Sequence, residues 1–230
     1  MKYYQIDVSS EPQIIGVSNG IHQVEIDKKA MQQDDAFNDF LNFFSTQNTD
    51  FWKTQDKIKS LKIPVIQAKL LKKAKITDIM GYRENISFIK SLHSEKYIKI
   101  LEAFDIGNCT TFEVNINDVQ QKYFMMFIET IRLDEINYKK SVVITGHKAT
   151  NNIIYHKIDN RDEYLEFRQK NVLGGFEKIA ISKIHFGKDI INIQATPRPF
   201  YSEKLIDFLL DCKITGLEVK YNNSIELDFY

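Results

Sequence analysis

A chain of 230 residues with 43% hydrophobic and 27% charged side chains can bury a sizeable core, and it has neither the charge excess of a disordered segment nor an apolar run long enough to span a membrane. Lysine plus arginine and aspartate plus glutamate both total 31, so no overall charge steers the chain toward nucleic acid or anionic lipid. The first residues, MKYYQIDVSSEPQ, lack the apolar stretch of a signal peptide, and a cytoplasmic location is expected.

Lys2 to Val8 reads as a first strand and Gly20 to Ile26 as a second, after the turn at Ser18-Asn19-Gly20. Asp34-Asp35 then leads a helix through Phe37, Phe40, Leu41 and Phe44, whose spacing gives an aromatic inner face. Trp52, the single tryptophan, is either a core plug or an exposed anchor for a partner. Between Lys53 and Lys75 stand eight lysines against one acid, Asp56. Such a run reads as the solvated surface of a helix and a strand, or as an electrostatic contact with an acidic partner. Trp52, Lys57 and Lys59 are the partner-contact candidates. Val65 to Leu71 is a predicted strand, and Thr77-Asp78 a short helical turn.

Ser94 to Ile116, SEKYIKILEAFDIGNCTTFEVNI, has an imperfect second copy in Ser202 to Tyr221, SEKLIDFLLDCKITGLEVKY. Ser94 meets Ser202, Leu101 meets Leu209, and Phe112-Glu113-Val114 meets Leu217-Glu218-Val219, which points to an internal duplication. Each copy predicts a serine-capped helix, with apolar residues at Tyr97, Leu101 and Phe104 or at Leu205, Leu209 and Cys212. A turn at Gly107-Asn108 or Gly216 and an alternating strand follow.

Between the copies, Lys122 to Leu133 reads as one long central strand, and Ser141–Thr145 with Asn152–His156 as a hairpin. Asp159 to Lys170 reads as a helix ending at Gly174-Gly175. Lys178–Ile184, Ile190–Gln194 and Ile225–Phe229 return to strand pattern, with Pro197 and Pro199 marking an irregular link.

Motifs that carry chemistry are sparse. The five histidines, His22, His93, His147, His156 and His185, show no metal-ligand spacing, and Gly174-Gly175 lacks the lysine and further glycine of a phosphate-binding loop. Ser141, His147 and Asp159 could be named as a triad, but any chain of this size offers such a set. Asp34-Asp35 is better explained as helix-start charge than as a glycosidase pair. Cys109 and Cys212, without CxxC spacing, predict free thiols rather than a disulfide. No catalytic, cofactor-binding or metal residue and no cofactor is expected.

Thr77-Asp78, Ser94-Glu95-Lys96, Phe112 to Ile116, Tyr123 to Leu133 with Asp134, Ser202 to Leu205 and Thr215 to Glu218 together resemble the immunity proteins of bacterial polymorphic toxin systems, the eleventh class of that catalogue, first recorded as a domain of unknown function. The resemblance covers roughly Val65 to Tyr221. It implies a cytosolic α+β protein that binds and neutralises a cognate toxin, with no catalysis of its own and no motif-level binding residues to carry over. The alternatives are a regulatory or scaffolding module that binds another protein, and a hydrolase built on scattered Ser, His and Asp residues.

The expected architecture is α+β, with mixed or antiparallel sheets carrying the two related helix-strand units and an outline that allows two lobes. Its segments are 1–64 (N-terminal strands and helix), 65–140 (first repeat half) and 141–230 (second repeat half), joined as one globular unit. The expected partner is the toxin, to the exclusion of nucleic acid, membrane and small-molecule substrate, with the chain itself a monomer or weak dimer.

Overall fold

The computed structural model describes residues 1–18, 20–62, 65–84, 86–146, 152–222 and 224–230. The fold is α+β with mixed sheets. The chain forms two compact units: the first holds Met1–Ile6, Thr130–Lys204 and Val219–Tyr230, the second Asp7–Glu129 and Leu205–Glu218. Their boundaries differ from the 64/65 and 140/141 divisions expected from the sequence. Residues 1–64 do not group together, because strand β1 (Tyr3–Val8) pairs with a strand nearly 200 residues away while the elements after it build the second unit.

After β1 come a four-residue helix α1 (Pro12–Ile15), strand β2 (His22–Ile26), a four-residue helix α2 (Lys28–Met31) and helix α3 (Asp35–Phe43). Asp34 caps α3 by accepting a hydrogen bond from the Phe37 N–H at 3.1 Å, as expected of an aspartate at a helix start. The second unit continues with β3 (Ile66–Leu70), β4 (Ile79–Tyr82), β5 (Leu92–Ser94), helix α4 (Glu95–Leu101), β6 (Cys109–Ile116) and β7 (Tyr123–Ile128). Its six strands close into a barrel in the order β2-β3-β6-β7-β5-β4.

The aromatic face of α3 packs onto this barrel. Phe40 and Phe44 meet Phe112 of β6 at ring-centroid distances of 5.0 and 5.6 Å, and Phe44 meets Phe127 of β7 at 5.7 Å. Each fully buried phenylalanine contributes about 2–3 kcal/mol by leaving water, and a well-oriented ring pair adds about 1 kcal/mol. The core reading of this helix face is therefore correct.

The first unit contains β8 (Thr130–Ile131), β9 (Val142–Thr145), β10 (Ile154–His156), helix α5 (Arg161–Lys170), β11 (Gly175–Ile181), β12 (Ile190–Ile193) and β13 (Phe200–Ser202). Helix α6 (Glu203–Asp211) and β14 (Leu217–Lys220) cross the unit boundaries, and β15 (Glu226–Phe229) lies in the first unit. One sheet has the order β14-β1-β13-β12-β8 and the other β10-β9-β11-β15. The expected hairpin forms, with Tyr155 opposite Ile144; its turn, residues 147–151, lies outside the described residues. β15 closes its sheet by pairing parallel to β11.

Two expectations within residues 77–133 need correction. Thr77-Asp78 starts no helical turn: Thr77 is buried, its hydroxyl donating to the Ile79 carbonyl at 2.7 Å and accepting from Gln23 at 3.0 Å, and it leads into strand β4. The run from Lys122 to Leu133 is not one strand. β7 stops at Ile128, where its pairing with β6 ends at Cys109, and β8 then pairs parallel with β12 in the other unit. One apolar stretch serves two sheets, so it shows no single alternation.

The duplication extends further than the helix-strand copies. Ser94 N–H and hydroxyl donate to the Asp78 carbonyl and carboxylate, both at 2.8 Å; Ser202 does the same to Asp189, at 2.9 and 2.6 Å. The Glu95 N–H donates to the Lys122 carbonyl at 3.0 Å and the Glu203 N–H to the Lys2 carbonyl at 2.9 Å. In register, Ser94 faces Tyr123 and Ser202 faces Tyr3. Both copies share a strand order, β6-β7-β5-β4-β2 in one and β14-β1-β13-β12-β8 in the other, with β4 parallel to β2 and β12 parallel to β8. Lys2-Tyr3 thus fills in the second copy the place that Lys122-Tyr123 fills in the first, although it precedes its own helix by some 200 positions.

Ser94 also caps α4, its oxygen accepting from the Tyr97 N–H at 3.1 Å. Ser94→Ala loses that cap and the bond to Asp78, and it is expected to lower the unfolding free energy by about 1.5 kcal/mol. Urea unfolding followed by Trp52 emission measures this directly, because Trp52 lies in the same unit; an unchanged midpoint would show that neither bond matters.

Candidate functional site

The segment after α3 makes two 3-10 turns, Phe51–Lys53 and Gln55–Ser60. Its apolar residues alternate inward: Phe51 stacks on Phe88 at 3.9 Å and Ile58 is fully buried. Trp52 is half-buried, edge-on to Phe51 at 5.1 Å and to Phe88 at 4.8 Å. It is thus a partial core residue, with the rest of its side chain in solvent. The expected helix in this lysine-rich stretch is a pair of 3-10 turns, and β3 with its exposed Lys69 is the expected strand.

Between this segment and the ends of β6 and β7 lies a cleft of about 80 Å³ lined by Gln55, Asp56, Lys59, Asn108, Thr110, Phe127 and Glu129. Lys59 Nζ donates to Asn108 Oδ1 at 3.1 Å, and Asn108 Nδ2 to Glu129 Oε2 at 2.6 Å. The cleft is far below the roughly 300–1,000 Å³ of small-molecule sites, and Lys59, Asn108 and Glu129 already engage one another. Of the three partner-contact candidates only Lys59 lines the cleft; Trp52 and the exposed Lys57 do not. Cys109, at the start of β6, is a poor nucleophile because burial raises its thiol to about 11.

Among the described residues the histidines do not converge. His93 is buried against Tyr97, His156 bonds Thr145 at 2.8 Å, and His22 Nδ1 lies 2.9 Å from the Tyr82 carbonyl. Among the described residues there is no cluster of three or more His, Cys, Asp or Glu able to hold a metal ion. His147 lies outside them, so the nominal Ser141-His147-Asp159 triad cannot be placed, and the Ser141 hydroxyl is engaged with the Asn137 carbonyl at 2.8 Å. Both cysteines are free thiols, and among the described residues no helix is long and apolar enough to cross a membrane.

Sequence reasoning missed two exposed apolar groups in the first unit. One is on the edge strand β10 and the α5–β11 connection, where Ile154, Tyr155, Val172 and Leu173 are exposed, Leu173 at 93%. Pairing puts Tyr155, Ile144 and Gly175 in one row across that sheet. The other is the loop after β11. The strand expected to run to Ile184 ends at Ile181, and a 3-10 turn, Lys183–His185, leaves Ile184 76% and Phe186 56% exposed. The visible signal was Lys183-Ile-His-Phe-Gly-Lys188, apolar residues alternating with basic ones just before a glycine. No protein-family model matches the chain, and no curated protein matches it.

Proposed function

We propose that this chain is a non-catalytic immunity protein that binds and neutralises a cognate bacterial toxin by protein–protein contact. The observation that carries the reading is exposed apolar surface on the first unit, above all Ile184 and Phe186, 76% and 56% exposed on one turn. Phe186 gives one edge to Phe229, and the apolar surface that it and Ile184 leave in water contributes nothing to folding. Each gains about 1.5–3 kcal/mol when a partner covers it. The resemblance of residues 65–221 to toxin-immunity proteins supplies the kind of partner.

Co-expression tests the reading. Toxin-like products of the neighbouring reading frames should arrest growth alone, and this chain should restore it. Failure to rescue against every adjacent candidate would remove the proposal.

A further inference from the structure

The Ile184–Phe186 loop differs from the other apolar group in its charge and in how firmly it is held. The Ser182 hydroxyl accepts from the Ile184 N–H at 3.4 Å, and the His185 and Phe186 N–H groups donate back to the Ser182 and Lys183 carbonyls at 3.1 and 3.0 Å. Gly187, at φ +97°, donates its N–H to the Tyr3 hydroxyl at 3.2 Å. The Phe186 ring rests edge-on against Phe229 at 5.2 Å, and the Lys183 N–H donates to the Tyr230 carbonyl at 3.0 Å. A tip fixed this way loses little conformational entropy when a partner covers it, which is the property of a preorganised anchor.

The charged residues of the tip itself have one sign. Residues 182–188 contain Lys183 and Lys188 and no acid, and Lys140 lies over the Tyr230 ring at 5.1 Å. The neighbouring acids are engaged: Asp189 is buried and accepts from Ser202 at 2.6 Å, and Asp228 pairs with Lys178 at 3.6 Å. The chain as a whole is neutral, so this basic collar around an isoleucine and a phenylalanine is a local feature.

We infer that the Ile184–Phe186 loop, collared by Lys140, Lys183 and Lys188, is the docking surface for an acidic protein, whose carboxylates ring an apolar pocket. This rests on the neutralisation reading, under which that protein is the toxin. Complementary charge sets the orientation and speeds the encounter, and the two apolar side chains supply the slow dissociation. A lipid surface fits less well, since two apolar side chains on a rigid turn bury little in a bilayer and three lysines alone hold weakly.

The test measures binding of the purified full chain to the purified product of each neighbouring reading frame. The variants are Ile184→Ser with Phe186→Ser, Lys183→Glu with Lys188→Glu, and Tyr155→Ser on the β10 edge; all change exposed or half-exposed side chains, and thermal unfolding checks that each stays folded. The apolar pair should weaken binding by at least about 30-fold. The charge reversal should weaken it by about tenfold or more and abolish the loss of affinity with added salt. Tyr155→Ser should bind as the parent does.

If the parent binds a product and both loop variants bind equally well, or only Tyr155→Ser weakens, the loop assignment falls while the neutralisation reading stands. If the parent binds none of the products, the neutralisation reading falls and takes this assignment with it. Loop-dependent binding to vesicles of phosphatidylcholine and phosphatidylserine in equal parts would make the surface a lipid contact and overturn the protein-partner assignment.

Discussion

Replacing Gly216 with alanine is expected to cost the second unit at least about 3 kcal/mol. Gly216 stands at φ +83°, where a side chain is strained by about 1–2 kcal/mol. A Cβ there would also meet the Ile79 carbonyl oxygen at 2.1 Å and the Thr77 hydroxyl at 2.8 Å. The backbone around it is in no position to yield. The Thr215 N–H and hydroxyl both donate to Asp78 Oδ2 at 2.9 Å, the Ile79 N–H donates to the Thr215 carbonyl at 3.0 Å, and the Ser9 N–H to the Gly216 carbonyl at 2.9 Å. Asp78 in turn holds Ser94 at the head of α4. Any shift that relieves the clash therefore pulls on the start of β4 and on the cap of α4 together.

Gly20 provides the comparison within the same unit. Its φ is +105°, but a Cβ there would meet nothing within 4 Å, so Gly20→Ala should cost only the conformational strain, about 1 kcal/mol. Urea unfolding monitored by Trp52 emission measures both. Equal losses for the two variants would show that the contact with Ile79 carries no weight.

The parts of this fold that were legible in the sequence are those fixed by neighbours along the chain. Asp34 and Ser94 announced helix starts because a short polar side chain can bond an unpaired N–H two or three residues on. The spacing of Phe37, Phe40 and Phe44 announced a buried face because a helix brings such positions together. The strand after each helix was legible from alternation, and Gly216 from the need for a left-handed turn.

What could not be read depends on pairing across long separations. Nothing local in Lys2-Tyr3 says that it completes a motif whose helix begins at Glu203; the likeness to Lys122-Tyr123 gains meaning only once Tyr3 is seen opposite Ser202 and Tyr123 opposite Ser94. The short strands β5 and β13, three residues each, carry too little pattern to stand out, although each presents the serine that leads a helix. The candidate surface was hidden for another reason. Whether Ile184 and Phe186 face solvent is decided by where β11 stops, at Ile181 and not at the expected Ile184. Trp52 and Lys59, singled out from composition, sit apart: Trp52 packs on Phe51 and Phe88, whereas Lys59, next to the buried Ile58, lines the cleft.

Acid is expected to weaken the second unit through His93. The ring sits on β5, stacked on Tyr97 at 4.7 Å, with Nε2 3.1 Å from the Ser91 hydroxyl and Nδ1 without a hydrogen-bond partner. Loss of solvent lowers its pKa from 6.5 to about 3. In the unfolded chain the same imidazole takes up a proton near 6.5. Between these values the unfolded state binds more protons than the folded one, so stability is complete above about 6.5 and falls as the pH falls, by about 1.4 kcal/mol per unit. At pH 4.5 the loss from this one residue is about 3 kcal/mol. His93→Phe keeps a ring against Tyr97 and removes the titration. In the register of the duplicated sheets His93 faces Ile79 and Tyr201 faces Ile190, so the second copy already carries an uncharged ring at this position. Urea midpoints of parent and variant at pH 7 and pH 4.5, read from Trp52, should therefore diverge, with the variant losing about 3 kcal/mol less on acidification. Carboxylates titrating elsewhere affect both proteins alike and drop out of the difference. Parallel declines would mean that His93 is protonated in the folded unit at little cost, and that burial against Tyr97 does not keep it neutral.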